Sequence, residues 1–61
     1  MTTLTTKELS AIQDLLSVEE LNIKKFEMLS QTCGDTTLQQ KFRDISNKHQ
    51  QHFDTLYSQL S

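Results

Sequence analysis

TCGDTT, residues 32–37, is the only strong punctuation in a 61-residue chain that has one glycine and no proline. Gly34 suits the left-handed position just past a helix end. Asp35, Thr36 and Thr37 are all suitable N-cap residues for a following helix. Thr36 with Gln39 fits a capping box, and Asp35 competes for the cap. A break this short between two helical stretches predicts an antiparallel helical hairpin. Working outward, Thr5-Thr6-Lys7-Glu8 fits a second capping box, with Leu4 and Leu9 at the two positions of a hydrophobic staple. The predicted organisation is all-α, a single domain over 1–61: helix 1 at about 6–33, a turn at 34–35 and helix 2 at about 36–60. At 1.5 Å per residue the helices run about 42 and 37 Å.

Composition narrows the class. A domain of this size buries only about 60% of the surface its unfolded chain exposes, so it needs a staple, a metal or a partner. Cys33 is the single cysteine, which rules out an intramolecular disulfide and a cysteine-based zinc framework. Oligomerisation and metal remain. Six basic residues are scattered among eight acidic ones for a net charge of −2, with no basic stripe for nucleic acid. No apolar run approaches the ~20 residues that span a bilayer. The start, MTTLTTKEL, has neither the basic nor the apolar region of a secretory signal. The expectation is an intracellular protein in which a lone reduced cysteine is ordinary.

Steps of three and four mark one helix face. In helix 1 they pick out Leu9, Ile12, Leu16, Glu19, Ile23, Phe26, Ser30 and Cys33, with Leu15 and Leu29 widening the stripe. In helix 2 they pick out Leu38, Phe42, Ile45, His49, His52, Leu56 and Leu60, widened by Phe53 and Tyr57. Glu19 interrupts the first seam and the two histidines the second. Glu19 lies 15 residues before Gly34 and His49 lies 15 after it, each about 22 Å from the turn. A hairpin therefore sets Glu19 beside His49 and His52. Two amphipathic helices cannot cover both of their own stripes, so two chains are expected to pair into a four-helix bundle. Two-fold symmetry, the commonest for homodimers, would bring a second Glu19, His49 and His52 to the same level.

Polar groups in a core cost several kcal/mol each unless satisfied. Two imidazoles and a carboxylate suit zinc, iron, manganese or copper, which makes Glu19, His49 and His52 the candidate metal ligands. The same residues could instead form a metal-free polar layer that fixes the register of the dimer, or lie at the surface if the helical phase differs. Glu20, Glu27, Asp44 and Asp54 fall outside the seam, with Lys24 and Lys25, as solvated-face residues. No Ser-His-Asp set, phosphate loop or nucleotide motif occurs, so no catalytic or cofactor-binding residue is assigned.

EELNIKKF (19–26) and FRDISNKHQQH (42–52) resemble the ferritin-like proteins, rubrerythrins included. There a ligand Glu precedes an aromatic by seven residues, and Glu-x-x-His follows an apolar residue by seven. The chain looks like one half of such a bundle. LTTKEL, IKKFEM and KHQQHFDTL make it more similar to the short ferritin-like spore coat proteins related to the coat F type of spore-forming bacteria. The resemblance implies a homodimer with a structural role in or near the spore coat, other coat proteins being its further partners. His49 departs from the family, which has Glu there. A dimer then offers two carboxylates and four imidazoles, and two divalent ions would bring +4 against −2. That favours one zinc or iron ion, or none, and a non-enzymatic role over redox or peroxide chemistry.

Overall fold

The computed structural model describes residues 3–60 and is all-helical: α1 spans Thr6–Thr32 and α2 spans Thr36–Ser58. The single-domain reading of 1–61, and the leader argument at the first residues, take in Met1, Thr2 and Ser61, which lie outside the described residues. The two helices pack along each other as a rod of 46 × 16 × 11 Å.

The helix starts follow from their caps. Glu8 N–H donates to Thr5 Oγ1 at 3.1 Å and Thr5 N–H donates to Glu8 Oε1 at 3.0 Å. This reciprocal pair satisfies two donors that a helix start otherwise leaves open. The Thr5 N–H, and after it the Thr5 hydroxyl, hold the Glu8 carboxyl below its ordinary value. Asp35 wins the competition at the second start and accepts from Leu38 N–H at 2.9 Å. Gln39, freed from the Thr36 capping box, reaches back and donates from Nε2 to the Cys33 carbonyl, so the end of α1 is capped from α2. α2 closes at Ser58, two residues short of the expected end, as Gln59 N–H turns onto Leu56 O and Leu60 N–H onto Tyr57 O.

Gly34 corrects one expectation. It has no positive φ, and the C-cap Cys33 is extended. The chain leaves α1 through extended backbone rather than a left-handed residue, with Cys33 N–H donating to the Leu29 carbonyl and the Cys33 carbonyl accepting from Gln39.

Burial corrects more. No apolar residue is buried among the described residues; the buried side chains are Ser30 and Ser46. Their small size lets the helices approach closely, and Ser46 Oγ donates across to the Ile23 carbonyl at 3.1 Å. Phe53 turns toward α1 with Ser46, while Leu9, Leu38 and Tyr57 are exposed. By the area–mass scaling a compact protein of 7.1 kDa exposes roughly 4,100 Å², and this hairpin exposes 4717 Å².

The hairpin has two unlike faces. Phe26 stacks on His49 at 5.7 Å, which fixes that side of each helix on one common face. Helical steps from these residues add Leu15 and Leu29 from α1 and Leu38, Ile45, His52 and Leu56 from α2. The opposite face is a polar groove lined by Glu27, Gln31, Arg43, Asn47 and Gln50, with Ile23 at its floor.

A Cβ at Gly34 meets nothing within 4 Å. Gly34→Ala is expected to raise stability by about 0.4–1 kcal/mol through the unfolded chain, read from urea midpoints. The depressed Glu8 carboxyl adds stability above its unfolded-state value, and this is lost as pH falls through the folded-state value. Titrating unfolding from pH 7 to 3 should show a steeper acid loss for the native chain than for Glu8→Gln. Thr5→Ala should cost about 1 kcal/mol.

Candidate metal centre at the middle of the hairpin

Glu19 is the central residue of α1, as the bounds Thr6–Thr32 require. It sits where its flanking neighbours Leu15, Leu16, Ile23 and Phe26 are apolar. The antiparallel return of α2 delivers His49 to the same height. His49 Nδ1 and Glu19 Oε2 are 2.7 Å apart. A carboxylate only accepts hydrogen bonds, so the imidazole is the donor, from Nδ1. The contact is largely shielded, with the His49 side chain 22% and the Glu19 side chain 17% exposed.

His52 stands differently. The seam walk places it in the core, but its side chain is 61% exposed in the hairpin. Its Nδ1 lies 3.7 Å from Glu19 Oε1, beyond a hydrogen bond. The physical reason is helical phase. Ser46 and Phe53 form the side of α2 nearest α1, which rotates His52 out onto the apolar face while leaving it beside Glu19.

The ring of His49 is held on both sides of its plane and edge. Phe26 stacks on it nearly parallel at 12°, and His52 meets it edge-on at 88° with ring centres 5.7 Å apart. Phe42 continues the stack behind Phe26 at 6.0 Å. The Phe26–His49 contact is a part of the site the seam walk did not find. Residue counting did not signal it: Phe26 is eight residues before Gly34 and Phe42 eight after, whereas His49 is fifteen after, seven residues or about two turns further on.

One ligand atom from each of Glu19, His49 and His52 lies within 4.8 Å of the others. Zinc bonds of about 2.0–2.2 Å in tetrahedral array set ligand atoms roughly 3.3 Å apart. The donor types therefore fit a borderline divalent ion, and the site is open by up to about 1.5 Å. The exposed His52 is the ligand free to close that distance. Two imidazoles and one carboxylate leave at least one coordination position unfilled by this chain.

Three other carboxylates are engaged elsewhere. Glu20 pairs with Lys24 at 3.0 Å on the solvated side. Asp44 accepts from Gln40 and Asp54 from Gln50, one helical turn away in each case. Cys33 is a half-buried free thiol at the C-cap of α1.

Comparison with protein-family models, curated proteins and solved structures finds no match.

The shielded Glu19–His49 bond sets an expected asymmetry. His49→Leu leaves the Glu19 carboxylate unsatisfied and should cost about 1–3 kcal/mol. Replacing both, Glu19→Leu with His49→Leu, should recover most of that loss. Denaturant unfolding of the two single variants and the double variant measures the coupling.

Proposed function

We propose that this chain is a non-enzymatic structural protein that works as a homodimer, two hairpins pairing into a four-helix bundle with a divalent transition-metal ion in the Glu19/His49/His52 layer. The observation that carries the reading is the absence of any buried apolar residue among the described residues. A hairpin in that condition gains its hydrophobic stabilisation only when something covers the face of Leu15, Leu29, Leu38, Ile45 and Leu56. Zinc and iron are the ions that suit the donor set.

What supports a place in the spore coat is the resemblance of LTTKEL, IKKFEM and KHQQHFDTL to coat proteins of the ferritin-like kind. What weighs against peroxide or redox turnover is charge. One carboxylate per chain leaves two divalent ions under-neutralised, whereas one ion is balanced by the two Glu19 carboxylates of a dimer. A second reading has its own observation: the 2.7 Å bond between His49 and Glu19 already satisfies both groups, as a metal-free register layer requires. In neither reading is nucleic acid or a membrane a partner. No helix among the described residues is long and apolar enough to cross a bilayer.

Elemental analysis of untagged protein separates the two. The metal reading expects about one equivalent of zinc or iron per dimer to survive dialysis. It also expects zinc at about 100-fold its dissociation constant to add about 2.7 kcal/mol of stability. Retention well below one equivalent, with no change in Tm on adding zinc, leaves the register layer.

A further inference from the structure

We infer that ion binding and self-association are one linked equilibrium: a second copy of this chain closes the cation site, and His52 is the ligand that joins the two events. The inference rests on the homodimer reading above and deepens it.

Three observations carry it. First, the ligands are split by exposure. Glu19 and His49 are shielded within one hairpin, while His52 is 61% exposed and lies on the same helical stripe as Leu38, Ile45 and Leu56. Covering that stripe also covers His52, and an imidazole moved out of water needs a partner. An ion at Glu19 and His49 supplies one. Conversely, the ion's unfilled position points to a group from outside the chain.

Second, the ligand level is at mid-height. Glu19 is the middle residue of α1. A two-fold axis across a rod maps only its mid-height onto itself. A second copy turned end over end therefore meets this polar level with its own, while the apolar turn half of one hairpin meets the apolar open half of the other. An unrelated helix would have to supply a matching polar residue at one height; this chain carries it already.

Third, the area is right. One broad side of the 46 × 16 Å rod has an outline of about 700 Å², near the ~800 Å² that each partner contributes to a standard interface.

Linkage is reciprocal: the factor by which zinc tightens the dimer is the factor by which dimerisation tightens zinc. Sedimentation equilibrium of the full chain in chelator and in saturating zinc chloride gives the first factor. Chromophoric-chelator competition, at protein concentrations well below and well above the dimer midpoint, gives the second. Both are expected to be about tenfold or more. His52→Ala should lose the zinc response of the dimer. Leu38→Lys, an exposed position of the same stripe eleven residues before His49, should weaken pairing and drop zinc affinity to the value of the dilute native chain.

If zinc affinity is the same below and above the dimer midpoint, or unaltered in a monomeric Leu38→Lys, the linkage is overturned while the dimer stands. If the native chain stays monomeric at every concentration with and without zinc, the homodimer reading itself fails. A native chain that binds zinc yet stays monomeric at every concentration overturns both.

Discussion

Two helices side by side cover each other along one line only, and everything else in this protein follows from that shortfall. A residue at the contact line has neighbours on one flank and water on the other. Ile12, Leu16, Ile23, Phe26, Ile45 and Phe53 are accordingly half-buried, and none is buried. The positions that do become buried are Ser30 and Ser46, because only small side chains fit where the helices come closest. With roughly 25 cal/mol for each Å² of apolar surface removed from water, a hairpin with this much uncovered apolar surface forgoes much of the stabilisation its composition contains. Part of the surplus surface lies on the face of Leu15, Leu29, Leu38, Ile45 and Leu56, opposite the polar groove, and Val18, Leu21 and Met28 of α1 are exposed outside it.

Local devices offset part of the deficit. Both helix starts are capped by side chains, Thr5 with Glu8 and Asp35 alone. Gln39 ties the end of α1 to the start of α2, and Ser46 ties the middle of one helix to the backbone of the other. Each is worth on the order of 1 kcal/mol. They define where the helices begin and how they meet. They do not replace a core.

The polar layer lies at mid-height of the hairpin, at the edge of its uncovered face. A carboxylate among Leu15, Leu16, Ile23 and Phe26 is unfavourable unless it is answered. His49 answers it within the chain, held in plane by Phe26. His52 approaches the same carboxylate from the uncovered face without reaching hydrogen-bond distance. One hairpin thus contains a satisfied pair and a third donor that is near but unfinished. That combination is what the homodimer and ion readings have in common.

Much of this was legible in the residues. Thr5-x-x-Glu8 marked the first helix start, TCGDTT marked the reversal, and equal counts of fifteen residues on either side of Gly34 set Glu19 against His49. These are local or arithmetic properties: a cap is built from adjacent residues, and height along a helix is residue number times a fixed rise. What the chain alone left open was rotation about each helix axis. A step of three or four does not say which edge of a broad stripe faces the neighbour, and seams drawn through Ile45 or through Ser46 differ by a single 100° step. Tertiary packing decided that step. The smallest side chains, Ser30 and Ser46, went to the closest approach because bulk is excluded there. His52 was thereby carried to the surface, and Gly34 lies in the turn without a left-handed conformation.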